Sequence, residues 1–146
     1  MLPSSQDFIY SIIKSKKVYA LKNEEGYALS LSNFFVNDDD ELIEMFCFWS
    51  DKAKAANHIK DEWVDYKVDE IKLSVFLEDW CIAMSDQNYV AGLDLAIDMS
   101  GDEVDSLELL IEICKVLVRE KIELEFVKFK GINQLMHEAK QAIKYE

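Results

Sequence analysis

The stretch of residues 48–95 constrains the fold most, because two amphipathic helical patterns and an apolar strand follow one another within it. The first helix is predicted over residues 50–65, with Ser50 as its N-cap and apolar residues four positions apart. The second is predicted over residues 73–84, where apolar residues repeat at helical spacing. An alternating strand is predicted over residues 89–99. A chain of this kind folds by packing helices against a sheet.

The rest of the chain shows the same two periodicities, separated by turn residues. In chain order they predict a helix (4–13), a β-hairpin (18–31), an acid-rich loop (33–41), a strand (42–49), an extended connection (66–73), a helix (105–119), a strand (122–129) and a final helix (132–143). Helices and strands alternate without a regular βαβ order. We therefore predict an α+β fold with a mainly antiparallel sheet of about five strands, packed with about four or five helices.

The length of 146 residues is that of one domain, so residues 1–146 are expected to share one core. The helix predicted over residues 105–119 is apolar almost all round. It is therefore either sandwiched inside the fold or covered by a partner, and we favour the sandwiched arrangement.

The cysteines and the N-terminal segment indicate a reducing compartment. Cys47, Cys81 and Cys114 lie far apart in apolar contexts, which predicts reduced, buried thiols rather than disulfides. No apolar run approaches the roughly 18 residues that a membrane span needs. The first lysines follow a short apolar patch, the reverse of the order in a secretory signal. We therefore expect a cytoplasmic protein.

The negative charge is concentrated in the middle of the chain. The net charge is −13, and residues 37–105 carry 19 acidic residues against 5 lysines, a balance of −14. The remaining residues carry 10 acids against 11 bases, a balance of +1. Nucleic acids and anionic membranes attract cationic surfaces, so this distribution argues against both as partners.

No pattern in the chain predicts catalysis, a metal or a cofactor. Nucleophile, zinc-protease and phosphate-loop motifs are absent from the sequence, so an enzyme is not expected. His58 and His137 lack partners at metal-ligand spacing and are expected at the surface or its rim. The acidic run over residues 37–41 lacks the spaced ligands of a calcium loop. A second set of acids has two members on a predicted strand face, Asp94 and Asp98, and two at a helix start, Asp102 and Asp105, where capping explains them.

Several phrases of the sequence resemble an uncharacterised bacterial family, domain of unknown function 2750. They are VYALKNEEGYAL, the run from FWSDKAKAANHIKDEW to VFLEDW, and YVAGLDL followed by GDEVDSLEL. The matching positions are Glu25, Gly26, Trp49, Ser50, Asp51, Ala53, Trp63, Phe76, Leu77 and Trp80. The resemblance covers about residues 18–110 and leaves residues 111–146 as a C-terminal extension. It implies a small cytosolic bacterial domain and brings no activity, cofactor or catalytic residue.

The acidic surface is the feature that predicts a function. We expect a patch that binds a basic protein, with Tyr66 and Phe34 as aromatic contacts. The predicted contact residues are Asp38, Asp39, Asp40, Glu41, Asp61, Glu62, Asp65, Tyr66, Asp69, Glu70, Glu78 and Asp79. An immunity-type inhibitor that neutralises a cationic toxin, for example a nuclease, fits this surface. The alternative is a cytosolic ligand-binding or adaptor domain whose negative charge serves only solubility. The sequence leaves the oligomeric state open.

Overall fold

A computed structural model describes residues 3–144 of the chain, and the side chains of residues 4–143. The helices are α1 (Pro3–Ser15), α2 (Lys52–Ala56), α3 (residues 73–86), α4 (Ser106–Arg119) and α5 (Ile132–Lys144). The strands are β1 (Lys17–Asn23), β2 (Gly26–Tyr27), β3 (Leu29–Val36), β4 (Leu42–Phe48), β5 (Lys67–Lys72), β6 (Val90–Leu93) and β7 (Asp102–Val104). A 3-10 turn spans Asp61–Trp63, and the middle of α3 is a π-helical segment, Phe76–Trp80.

The strands form two sheets rather than one. The hairpin sheet has the order β2-β1-β5, and the main sheet has the order β3-β4-β6-β7. All strand pairs are antiparallel except β4 with β6. The α+β fold is confirmed, but the described residues contain seven strands instead of about five. Three strands are additional and one predicted strand, residues 122–129, is absent. The additional strands are β5, predicted as a connection, which pairs with β1; β3, which leaves the hairpin to pair with β4; and β7, which pairs with β6.

The hairpin forms where it is predicted. The side chain of Asn23 accepts hydrogen bonds from the backbone N–H groups of Glu25 and Gly26, at 2.9 and 3.1 Å. Gly26 has a φ of 141°, a conformation that side chains with a Cβ rarely adopt. The two sheets are joined by the backbone of Tyr19 and Trp49, which exchange hydrogen bonds of 2.9 and 2.8 Å.

β4 separates two apolar clusters because successive side chains of a strand point to opposite faces. Phe48 faces the larger cluster, together with side chains of α1, α3 and α4. Met45, Cys47 and Trp49 face the smaller cluster, where Ala55 of α2 also packs. The position of β4 inside the main sheet agrees with the nearly continuous apolar character of residues 42–49.

α4 is sandwiched, as predicted. Three residues outside its main apolar stripe are buried as well: Leu109, Ile113 and Val116. They are buried because α5 packs against one side of α4, and α1 and α3 pack against its other sides. Asp105 caps the helix by accepting from the backbone N–H groups of Leu107 and Glu108. Within residues 3–144, no helix has the length and apolar character needed to cross a membrane.

The prediction of a helix over residues 50–65 is wrong in length. α2 ends at Ala56, and its N-cap is Asp51 rather than Ser50. The cause is His58, which is buried instead of lying at the surface. Its ring nitrogens lie 3.1 Å from the carbonyl oxygen of Lys54 and 3.0 Å from that of Ala96. The imidazole thus occupies the acceptor that a continuing helix would use.

The strand predicted over residues 122–129 is also wrong, because that segment has no regular secondary structure. Alternating residues specify a strand only where a neighbouring strand offers its edge. Here the backbone N–H of Val127 donates to a side chain of α3 instead. The strand predicted over residues 89–99 is shortened to β6, since Asp94 has a φ of 49° and leaves the sheet.

The cysteines are buried free thiols, as predicted. Burial raises the pKa of Cys47 to about 12, with a smaller contribution from the nearby Glu103 carboxylate. Burial likewise raises the pKa of Cys114 to about 12. Both side chains therefore remain uncharged thiols at neutral pH and act as small apolar residues.

Candidate protein-binding surface

One face of β3 and β4 carries apolar side chains that the described residues leave partly exposed. We call Leu29, Leu31, Val36 and Leu42 the open sheet face; these side chains are between 37% and 58% exposed. They share one side of the main sheet because β3 and β4 pair Leu29 with Phe46, residue 31 with residue 44, and Val36 with Leu42. Exposed apolar side chains grouped on one side of a sheet make this face a candidate binding surface.

The open sheet face exists because α3 covers only part of this side of the sheet. Trp80 of α3 packs edge-on against Phe46 and Phe48, with ring centroids 5.6 Å apart in both pairs. The residues nearer the start of β4 lie beyond this contact and stay exposed. A groove of about 220 Å³ lined by Phe46, Trp80 and Tyr89 marks the boundary. Phe46 therefore connects the groove to the open sheet face.

A bulge interrupts the edge of β3 beside this face. The pairing with β4 shifts register between Leu31 and Val36. The Ser32 hydroxyl accepts from the backbone N–H groups of Phe34 and Phe35, at 3.1 and 2.7 Å. The backbone N–H of Asn33 donates to the Glu103 carboxylate at 2.9 Å. These donors are therefore used within the fold, and Phe34 is left 70% exposed.

The turn between β3 and β4 places negative charge next to the open sheet face. We call Asp38, Asp39, Asp40 and Glu41 the acidic turn. Asn37 holds it by accepting from the backbone N–H groups of residues 39 and 41, at 2.9 and 3.0 Å. All four acidic side chains are exposed. Within the described side chains, none of their carboxylates forms an ion pair or a hydrogen bond.

Glu44 adds a carboxylate within the open sheet face itself. It is the cross-strand partner of Leu31 and lies two residues from Leu42 on β4, so its side chain is on the same side of the sheet as theirs. It is exposed, and no described cation pairs with it. Glu44 and the open sheet face were not among the residues predicted from the sequence. The alternation of leucine and serine over residues 29–32 is the signal that indicates them.

The predicted contact residues on the 3-10 turn lie on the other side of the main sheet. Asp61 and Glu62 are exposed there. Trp63 and Tyr66 pack against the smaller cluster, with ring centroids 6.5 Å apart. This cluster occupies the face of β4 opposite to the open sheet face. Asp65 is exposed at the hairpin sheet.

Asp69 and Glu70, on β5, have partners within the fold. The Tyr27 hydroxyl donates to the Asp69 carboxylate at 2.6 Å. Burial, and then this hydrogen bond, raise the pKa of Tyr27 above its usual range. Lys17 forms an ion pair with Glu70 at 3.2 Å, and both groups are about half exposed. This pair contributes little stability but neutralises the charge locally.

Glu78 and Asp79 form contacts with the C-terminal segment. Glu78 is 4% exposed. Its two carboxylate oxygens accept from the backbone N–H of Val127, at 3.1 and 3.0 Å. The Lys128 ammonium donates a hydrogen bond to the Asp79 carboxylate and forms an ion pair with it. This hydrogen bond raises the pKa of Lys128. Glu78 is therefore not part of an exposed acidic surface.

Replacing Glu78 with glutamine should release the C-terminal segment locally. The variant removes a charge-assisted contact, so the free energy of opening at the Val127 amide should fall by about 1–2 kcal/mol. Native-state hydrogen exchange of that amide measures it. The matched control is Asp79→Asn, whose exposed ion pair contributes little. Equal protection in both variants would contradict this role of Glu78.

The second set of acids is held by separate partners. Asp94 accepts from the backbone N–H and the hydroxyl of Ser50, both at 2.7 Å. Asp102 accepts from the hydroxyl of Ser5 at 2.6 Å. Hydrogen bonds from Ser100 lower the pKa of Asp98. Among the described residues, no three histidine, cysteine or acidic side chains converge to hold a metal ion.

Comparison with known proteins adds one match. A family model described as "Protein of unknown function (DUF2750)" matches residues 5–113. No curated protein and no solved structure gives a significant match. The matched range includes both sheets and the acidic turn, and it ends within α4. The resemblance found in the sequence is therefore confirmed and extends through α1.

Proposed function

Because the chain belongs to the DUF2750 family, whose function is unknown, we propose a function from its own surface: it is a non-enzymatic module that binds a basic protein. The observation that carries this proposal is the set of carboxylates on the acidic turn and at Glu44. They lie within seven residues of chain, and no cation among the described residues neutralises them. Their mutual repulsion is relieved when a cationic partner binds.

An immunity-type inhibitor of a cationic toxin is the specific form of this proposal. A nuclease toxin needs a basic groove for nucleic acid, and a protein with a net charge of −13 would compete for that groove. Long-range attraction speeds the encounter, which an inhibitor acting in the cytoplasm requires. The exposed apolar side chains beside the acids then supply the short-range contact.

The test begins with the basic proteins of the source cell. Extract is passed over the immobilised protein at about 50 mM salt, where electrostatic attraction is only weakly screened. Each retained basic protein is identified, purified and titrated against the free protein. The proposal is wrong if no basic protein is retained, or if every retained one binds equally well at about 1 M salt.

Neutralising the acidic turn should slow association with that partner about tenfold at low salt. The variant carries Asp38→Asn, Asp39→Asn, Asp40→Asn and Glu41→Gln, and asparagine tolerates the φ of 60° at position 40. Stopped-flow association rates measure the effect.

The control removes the same total charge elsewhere, through Glu24→Gln, Glu25→Gln, Asp61→Asn and Glu62→Gln. It should associate within about twofold of the original protein, because the effect depends on local rather than net charge. Equal loss in both variants would mean that the negative charge acts only in bulk, as the solubility alternative requires.

A further inference from the structure

We infer that the open sheet face is the docking site for an amphipathic, basic α-helix of a partner protein. This inference rests on the proposed function and specifies how the basic partner is held. α3 already shows what packs on this side of the main sheet, since Trp80 lies against Phe46 and Phe48. The remaining part of the same side carries the apolar side chains of the open sheet face, which the described helices leave 37–58% exposed.

The dimensions suit a short helix. Residues 42 to 46 of β4 extend over about 13 Å, at roughly 3.3 Å per residue. A helix covers that distance with about nine residues, at 1.5 Å per residue. Two turns of an amphipathic helix present apolar side chains at i, i+3, i+4 and i+7, enough to contact Leu31, Val36 and Leu42 together.

A strand is the less suitable occupant. Strand addition needs free backbone donors and acceptors along an edge. The bulge in β3 uses the N–H groups of Asn33, Phe34 and Phe35 for contacts with Ser32 and Glu103. The side of the sheet is available for binding, whereas this part of its edge is not.

The charge around the site selects a basic helix and disfavours a second copy of the chain. The acidic turn borders the open sheet face, and Glu44 lies inside it. A lysine or arginine beside the apolar stripe of the partner helix pairs with Glu44, while its aliphatic stem covers Leu31. A symmetric dimer through this face would instead bring two sets of unpaired carboxylates together.

Synthetic peptides test the inference directly. One 18-residue peptide of leucine and lysine has leucines at i, i+3, i+4 and i+7, and a second has the same composition in scrambled order. We expect the amphipathic peptide to bind at least about tenfold more tightly at 150 mM salt, because only it presents a continuous apolar face. Calorimetry gives both affinities. Equal binding of the two peptides would overturn the inference.

Substitutions locate the site. Leu31→Thr with Leu42→Thr should weaken binding of the amphipathic peptide about tenfold, since both side chains lose apolar contact. Val64→Thr with Ile97→Thr is the matched control, because both residues are also exposed and lie outside the open sheet face. Circular dichroism verifies that each variant is folded. Unchanged affinity in the leucine variant, or equal loss in the control, would place the contact elsewhere.

Two further results would overturn this inference without bearing on the peptide experiment. Sedimentation equilibrium that shows a dimer of the original protein and a monomer of the leucine variant would overturn the inference in favour of a second copy. A natural basic partner that binds the leucine variant as tightly as the original would leave the proposed function standing and overturn the inference alone. Failure of the proposed function is seen separately, as the absence of any retained basic protein.

Discussion

Replacing Trp49 with alanine lowers the free energy of unfolding by about 3–5 kcal/mol, the usual cost of removing a buried aromatic side chain. Trp49 is fully buried, and its indole N–H donates to the carbonyl oxygen of Leu95 at 3.2 Å. Its ring lies against His58, with centroids 4.6 Å apart. Its backbone joins the two sheets through Tyr19, so the cavity opens where they meet.

Urea unfolding followed by circular dichroism measures this loss, and the control is Trp63→Ala. Trp63 is only half-buried at the rim of the same cluster, so its removal should cost less than half as much. A loss below about 1 kcal/mol for Trp49→Ala would show that the sheets are held together by other contacts.

Replacing Gly92 with serine should lower the free energy of unfolding by about 2–3 kcal/mol, through overpacking and a buried hydroxyl. A Cβ at this position would lie 2.8 Å from the sulfur of Met45 and 2.9 Å from Cδ1 of Leu95. Gly92 is in the middle of β6, which pairs with both β4 and β7. A shift of the β6 backbone to accommodate the serine would therefore also displace β4 and β7.

The same substitution at Gly131 is the matched control. A Cβ there meets no atom within 4 Å, and serine is a favourable residue before the first turn of α5. Thermal unfolding of both variants compares them, and Gly131→Ser should stay within about 0.5 kcal/mol of the original protein. A comparable loss at both positions would contradict the packing explanation.

Local patterns were sufficient where an element is stabilised mainly by its own apolar stripe. α1, α4 and α5 follow the predicted periodicity, and the hairpin follows from Asn23 and Gly26. The failures depend on distant partners. Residues 57–60 leave the helix because the His58 ring reaches Ala96, and residues 122–129 form no strand because Val127 donates to Glu78. Neither contact is visible in a local sequence window.

The candidate site was predicted only in part. The acidic turn is apparent in the sequence because four adjacent acids in a loop are exposed in almost any fold. The open sheet face is not apparent, since the exposure of Leu31 and Leu42 depends on how far α3 extends over the sheet. Glu78 shows the opposite error, as a residue counted as surface charge that binds the backbone of Val127.

The bulge at Ser32 also bears on how the protein avoids aggregation. An outer strand with exposed leucine, valine and phenylalanine is a template for fibril growth, because identical chains stack through unpaired backbone groups. The N–H groups of Phe34 and Phe35 donate to the Ser32 hydroxyl, so they are not available to hydrogen-bond a neighbouring chain. The aliphatic side chains stay accessible, while the backbone at residues 33–35 offers fewer free donors to a stacking strand.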